Sequence, residues 1–418
     1  MTEQHSTALK PPRWLPLARI TGIGRSSDTA TRLVLGKLTA IRTGTLAVTL
    51  PDGNTVTVNG KDVAQPFASI SIHSPAVFRR LLTGGAIAFA ESYIDGQWDT
   101  PDLPALLYLL HCNESTLRAG RIGSRLTRLL HRYYHRSRDN NRDGSRRNIA
   151  YHYDLGNDFY SAWLDPGMTY SSARYRQPAN TLQDAQEEKY RSIAELAGLE
   201  DGHHVLEIGC GWGGFMEYAT RVADCRVSGI TLSREQHDWA NRRMHELGRA
   251  GVASADMTDY RDTDGQYDAV VSIEMLEAVG KEHWPDYFRV LNERLRSGAA
   301  AVVQVITIDE SRYSHYLRNT DFIQRYVFPG GMLPTPGIVC RQATDAGLIV
   351  EHREMFGQDY ARTLAEWRRN FHAAWPHLRQ PGFEDTFRRL WDYYLCYCEA
   401  GFRLGSIDVG IFRFRKPG

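Results

Sequence analysis

The stretch Val205-Leu-Glu-Ile-Gly-Cys-Gly-Trp-Gly-Gly214 limits what this chain can fold into. Its apolar start, Val205 to Ile208, reads as a buried strand, and Phe215 to Ala223 has helical spacing. Gly209, Gly211 and Gly213 stand between them. Glycines suit a place where the backbone turns sharply and a ligand approaches without side chains in the way. The pattern predicts the first strand–helix junction of an α/β sheet, with Glu207 near its mouth. Taken alone, GxGxG also suits dinucleotide-binding domains and plain turns, so the rest of the chain must decide.

The surrounding segments supply the sheet. Val205–Ile208, Arg226–Leu232, Ala253–Asp256, Tyr267–Ile273 and Ala299–Thr307 read as strands, with helical spacing over 215–223, 233–248 and 285–295. Alternating β and α units imply a parallel, doubly wound, Rossmann-like sheet covered on both faces, with ligands beyond the carboxyl ends of the strands. At about 100–200 residues per domain, the 418 residues suggest two or three domains. Residues 1–20 read as a loose tail. Residues 21–115 read as a small α+β domain, opened by a hairpin turning at Pro51-Asp-Gly-Asn54. Residues 149–418 form the largest unit, in which 309–400 reads as a helical cap.

Between these units, 116–148 reads as a basic linker helix. Arg118, Arg121, Arg125, Arg128 and Arg132 recur at steps of three and four, with Leu117, Ile122, Leu126 and Leu129 between them. Such a stripe suits either a solvated linker or a membrane surface. Net charge is +1, so global charge implies no nucleic-acid partner. The cysteines, Cys112, Cys210, Cys225, Cys340, Cys396 and Cys398, show no pairing framework, as in a reducing cytosol. No apolar signal core or membrane-spanning run is evident, so the expected location is cytoplasmic, with peripheral contact at the inner membrane face.

The glycine spacing departs from the GxGxxG that seats a pyrophosphate, and Trp212 and Phe215 are expected to crowd a diphosphate. A ligand with an amino-acid end and one nucleoside, such as S-adenosylmethionine, fits better. Where a ribose-binding acid is expected after the second strand, the chain offers Thr231, Ser233 and Gln236. Ser233 with Gln236 also reads as a helix cap.

These residues and several longer stretches resemble the cyclopropane-fatty-acyl-phospholipid synthase family. The matching stretches include Tyr151-His-Tyr-Asp-Leu-Gly-Asn-Asp-Phe-Tyr160, Leu164-Asp-Pro-Gly-Met-Thr-Tyr-Ser171 and Ser272-Ile-Glu-Met-Leu-Glu-Ala-Val-Gly280. Tyr326 to Pro334, Phe356 to Tyr360, Tyr393 to Cys398 and, in the N-terminal unit, Phe89 to Trp98 add to them. The resemblance implies methyl transfer from S-adenosylmethionine to the double bond of an unsaturated phospholipid acyl chain, forming a cyclopropane. It places the donor against Tyr170, Ser171, Glu207, Gly209, Gly211, Gly213, Thr231, Leu232, Gln236 and Asp259. It also implies a bound bicarbonate ion as proton acceptor, held by Glu277, Tyr360, Ile306 and neighbouring polar groups, with Cys398 at the position often marked as catalytic. No metal is expected. A membrane surface, and association as a homodimer, are the further partners it suggests.

An alkene is a poor nucleophile, so such a site must align it with the methyl donor. It must also shelter a carbocation, for which aromatic faces serve. Tyr153, Phe159, Tyr160, Phe356, Tyr360, Trp367 and Phe371 are candidates, although each is equally a core packer. Some positions depart from the family pattern. Ser172 stands where a cysteine is common, Gln304 where a histidine is usual, and Ala278 where a histidine often follows the glutamate. Relatives sharing the Gln variant include ones that make methyl- or methylene-branched chains, so the resemblance leaves that product open beside cyclopropane. Methylation of a soluble acceptor and non-catalytic lipid binding are the other function classes. For the basic stripe, Arg121→Glu combined with Arg125→Glu is expected to weaken sedimentation with anionic vesicles several-fold. Each cationic residue near such a surface contributes about 1 kcal/mol. Unchanged sedimentation would rule the stripe out as a membrane contact.

Overall fold

A computed structural model describes residues 28–118, 155–379 and 383–418. The chain divides into two compact units, residues 1–122 and 123–418. The tail, most of the basic stripe and Tyr153 lie outside the described residues.

In the first unit, strands β1 (Thr43–Thr49) and β2 (Thr55–Asn59) pair antiparallel around the expected turn. Gly53 takes φ 85°, and the Asn54 amide donates to Asp52 Oδ1 at 3.0 Å, which locks the reversal. Strand β3 (Asp62–Ile72) pairs parallel to β1, and short β4 (Trp98–Asp99) closes the sheet in the order β2-β1-β3-β4. Helices α1 (Thr29–Leu38), α2 (Ala76–Ile94), α3 (Leu103–Cys112) and α4 (Glu114–Arg118) complete the unit. Trp98 is fully buried, its ring stacked on Phe89 at 4.3 Å and its indole N–H donating to the Phe89 carbonyl at 3.0 Å.

The second unit holds the doubly wound sheet. After α5 (Asn157–Ser161) and α6 (Leu182–Ala197) come β5 (His204–Ile208), α7 (Gly214–Val222), β6 (Arg226–Thr231), α8 (Arg234–Glu246) and β7 (Ala253–Met257). Strand β8 (Tyr267–Ile273), helix α9 (Trp284–Arg294) and strand β9 (Leu295–Ile308) follow. Strands β7, β6, β5, β8 and β9 are parallel neighbours in that order. The chain order reverses between β5 and β8, the switch point where ligands of such sheets bind.

Alternate residues of each strand feed opposite cores. Val205, Val271 and Val302 pack with α6, α7 and α8, whereas Leu206, Val270 and Val303 pack with α9 and α12 (Pro336–Asp345). Covered on both faces, β5 is apolar throughout apart from its ends and Glu207, as buried parallel strands are.

The segment read as a helical cap over 309–400 is mixed. Helices α10 (Glu310–Tyr316), α11 (Phe322–Tyr326), α13 (Gly357–Leu378) and α14 (Asp385–Leu404) are present. Val339 and Ala343 of α12, however, lie in the sheet core, and β10 (Ile349–Met355) is the sheet's edge strand. Strand β11 (Ile407–Arg415) inserts antiparallel between β9 and β10. The sequence of β10, rich in Glu, His and Arg, hides its alternation, since edge strands carry charges that deter further pairing. No helix among the described residues is long and apolar enough to cross a membrane.

Trp98→Ala is expected to cost about 3–5 kcal/mol, because a fully buried indole leaves a cavity that its neighbours cannot fill. Urea unfolding checks this; a loss below about 1 kcal/mol would mean that Trp98 does not anchor the first unit.

Candidate active site

The glycine loop follows β5 at the switch point. Gly209 and Gly213 take φ 83° and 81°, a region costly for any residue with a side chain. A Cβ on Gly213 would also meet Ala240 at 3.2 Å. The Gly209 and Cys210 amides both donate to the Ile230 carbonyl at 3.0 Å, and the Gly213 amide donates to the Cys210 carbonyl at 2.9 Å. Much of the loop's donor capacity therefore fixes the loop to β6. Phe215 is turned into the core, and Trp212 stacks near Tyr160 with its indole N–H donating to Asn157 Oδ1 at 2.6 Å. Both rings expected to crowd a diphosphate are buried, Phe215 in the core and Trp212 against Tyr160 at 5.1 Å.

Glu207 is 2% exposed, and its Oε2 has no hydrogen-bond partner. Burial pushes its carboxyl well above the usual range, with Lys189 and Arg243 pulling back. A buried, unsatisfied acceptor at the end of the central strand is what a ligand hydroxyl or ammonium would satisfy. At the end of β6, Thr231 Oγ1 donates to Gln236 Oε1 at 2.9 Å, and Ser233 Oγ accepts from the Gln236 amide at 3.3 Å. Ser233 is thus the α8 N-cap, and Leu232 lies partly buried between these groups. Asp259 is 4% exposed, and both its carboxyl oxygens accept from the Arg261 guanidinium, at 2.8 and 2.7 Å. The groups at Glu207, Thr231 and Gln236 fit the polar parts of S-adenosylmethionine.

Sequence reading missed Lys189. It has no exposed surface, and its Nζ donates to Ser171 Oγ at 2.7 Å and Gln186 Oε1 at 2.9 Å. Burial pulls its ammonium down to about 7, against the opposing charges of Glu274, Asp165 and Glu207. The signal was available: Ala185, Lys189, Ser192 and Ile193 share the buried face of α6.

The residues expected to hold an anion do converge, on a side chain of the chain itself. Glu274 Oε1 accepts from the Ser172 amide at 2.8 Å and from Gln304 Nε2 at 2.8 Å. Its Oε2 accepts from the Tyr360 hydroxyl at 2.7 Å. Glu274 has φ 51°, one of two non-glycine residues with positive φ among those described. The neighbouring Glu277 accepts from the Ile306 amide through Oε1, while its buried Oε2 has no partner. Burial, then the charge of Glu274, pushes the Glu277 carboxyl up to about 8. Burial also raises Glu274, but the Ser172, Tyr360 and Gln304 donors pull it back. The pair therefore differs in its donors: three reach Glu274, and one backbone amide reaches Glu277.

Aromatic rings lie next to these groups. Tyr360 packs on Phe402 at 4.5 Å and edge-on to Trp367 at 6.0 Å, and Trp367 lies 5.2 Å from Tyr170. The Tyr170 hydroxyl bonds to that of Tyr394 at 2.7 Å. Phe159 and Phe371 cluster with Trp163 and Trp391, and Trp163 joins them to Tyr170 and Trp367, at 5.7 Å each, while Phe356 packs on the sheet core beneath Arg174. Cys398 lies one turn beyond Tyr394 on α14, and burial pushes its thiol well up, so it is a neutral thiol. That state does not suit a nucleophile. No metal-binding cluster occurs among the described residues.

Residues 140–412 match the family model described as mycolic acid cyclopropane synthetase. The chain belongs to this family. It is 38% identical to the tuberculostearic acid methyltransferase UfaA1 of Mycobacterium tuberculosis, over 97% of this chain and 95% of that one. It is 33% identical to the cyclopropane-fatty-acyl-phospholipid synthase of Escherichia coli K12, over 82% of this chain and 86% of that one. Among solved structures, the cyclopropane synthase MmaA2 from Mycobacterium tuberculosis superposes with a TM-score of 0.61 at 28% identity, covering 65% of this chain and 98% of that one. The mycolic acid cyclopropane synthase CmaA1, complexed with SAH and CTAB, gives 0.59 at 28% identity, with the same coverage. The protein is an S-adenosylmethionine-dependent lipid methyltransferase of the mycolic acid cyclopropane synthetase family.

Unfolded, Glu277 releases its proton near 4.5; folded, it keeps it to about 8. Between those values the folded state binds more protons, so this group's stabilising share falls as pH rises, by up to about 1.4 kcal/mol per unit. Glu277→Gln removes that slope. The melting temperature of the variant relative to the native enzyme is expected to rise between about pH 5 and pH 8. A pH-independent difference would contradict the neutral Glu277.

Proposed function

We propose that this enzyme adds the methyl carbon of S-adenosylmethionine to a double bond in an unsaturated phospholipid acyl chain and leaves a branched, ring-free chain. The observation that carries this reading is the likeness to a tuberculostearic acid methyltransferase through both units, across 97% of the chain. When bound, the donor supplies an electrophilic methyl carbon; the residues described here orient it, shelter the cation and receive a proton. Glu207, Thr231 and Gln236 hold the donor's polar groups, with the glycine loop shaping the pocket between them.

The alkene's π electrons form the new carbon–carbon bond, leaving a positive carbon on the acyl chain. Tyr360, bonded to Glu274, continues into the rings of Trp367 and Tyr170, and aromatic faces suit that cation, each desolvated face stabilising it by about 2 kcal/mol. Loss of a proton then completes the product. Methyl transfer followed by proton loss is redox-neutral, so the product keeps one unsaturation as a methylene or shifted alkene. A saturated methyl branch would require a separate reductase. The acyl chain comes from a bilayer, and we assign the basic stripe before the catalytic unit as the contact with the cytoplasmic face of the inner membrane. A homodimer belongs to the same proposal.

Cyclopropane formation is the second reading, favoured by the 33% identity to the Escherichia coli cyclopropane synthase. Both products gain one CH₂, so mass alone does not separate them. Enzyme, S-adenosylmethionine and vesicles of a cis-monounsaturated phospholipid are expected to yield fatty acids with vinylic carbon signals by NMR. Shielded cyclopropane methylene signals in their place would overturn the branched product.

A further inference from the structure

Of the groups expected to hold bicarbonate, Tyr360 donates to the Glu274 carboxylate at 2.7 Å and the Ile306 amide donates to Glu277, while the neighbouring Ser172 amide and Gln304 side chain also donate to Glu274, both at 2.8 Å. A carboxylate and bicarbonate present the same pair of oxygens to such donors. An ion seated on those donors would occupy the space that the side chain fills. The residues present therefore do not fit a bound bicarbonate. We propose that the carboxylate of Glu274 replaces the ion as the proton acceptor, so that this enzyme turns over without bicarbonate; the proposal rests on reading the site as a lipid alkene methylase.

Independent features of the backbone support this. Glu274 holds φ 51° although it has a side chain, a costly conformation that clusters where geometry serves function. Its amide donates to the Gln304 carbonyl at 2.8 Å, so residue 274 is clamped to β9 through both backbone and side chain. The position also lies beside the donor loop. Ser272 pairs with Ile208 at the end of β5, and a Cβ on Gly209 would meet the Met275 side chain at 3.0 Å. The carboxylate thus stands between the donor loop and the rings of Tyr360 and Trp367.

The step balances within the site. As the alkene's π pair bonds to the methyl carbon, the carbon–sulfur bond breaks and its electrons stay on sulfur. A C–H bond of the resulting cation then breaks. Its electron pair becomes the new carbon–carbon bond order, and the proton passes to a Glu274 oxygen. Glu277 keeps its proton to about 8, and the three donors on Glu274 favour its charged form, which places its oxygens to accept. Tyr360 and Gln304 are positioning residues that hold the acceptor oxygens.

The test uses the full-length enzyme, unsaturated phospholipid vesicles and S-adenosylhomocysteine release in carbonate-free buffer. The native enzyme is expected to show full turnover, changed less than twofold by added bicarbonate. Glu274→Gln is expected to lose at least a hundredfold. Glu274→Gly tolerates the left-handed backbone and empties the pocket; it is expected to fall similarly and to recover at least tenfold with bicarbonate. Calorimetric titration with bicarbonate is expected to show binding to Glu274→Gly and none to the native enzyme. Titration with S-adenosylmethionine reports folding, and a variant that fails it is replaced by Glu274→Ser. Bicarbonate dependence of the native enzyme, full activity of Glu274→Gln, or no bicarbonate binding or rescue in a folded small-residue variant would each overturn the proposal. A ring product made without bicarbonate would sink the branched-chain reading alone. A branched product made only with bicarbonate would sink this one alone.

Discussion

The Glu274 carboxylate joins parts of the chain that are remote in sequence. Ser172 comes from the segment before α6, Gln304 from the middle of β9 and Tyr360 from the first turn of α13, and all donate to its two oxygens. Charge-assisted bonds of this kind are roughly twice as strong as neutral ones. Together they offset the strain of the left-handed backbone and fix where α13 meets the sheet. The aromatic wall follows from this, because Tyr360 carries Trp367 two turns on along the same helix and packs on Phe402 of α14.

Three buried acids of the second unit act on the Lys189 ammonium. The Lys189 ammonium faces the opposing charges of Glu274, Asp165 and Glu207, and is itself bonded to Ser171 and Gln186. Burial alone would favour the neutral form of each of these groups. Held close, the ammonium favours the charged form of each acid, while Glu277, with one backbone donor and a charged neighbour, takes up a proton. The donor side and the acceptor side of the site are in this way electrically one unit.

Much of the fold was legible because parallel strands covered on both faces must be apolar in runs, as β5, β8 and β9 largely are. The β10 edge was not: it carries a run of polar and charged residues, Glu351 to Glu354, and β11 returns from the chain's end to separate β9 from β10. In the site, Glu207, Thr231 and Gln236 were read from their place at strand ends, and Ser172, Gln304 and Tyr360 through family resemblance; the last three meet at Glu274. Asp259 was placed at the donor, and the structure pairs it with Arg261. Cys398 was marked for chemistry, and burial keeps its thiol neutral.

By itself the sequence determined the sheet, the donor loop and the family, since these depend on short-range spacing of glycines and apolar residues. It also carried Glu274 and Glu277 in plain view, three positions apart, without saying which holds charge. Only the tertiary structure brought three donors to Glu274 and one to Glu277, and the three arrive from a loop, a strand and a helix up to 102 residues away in the chain.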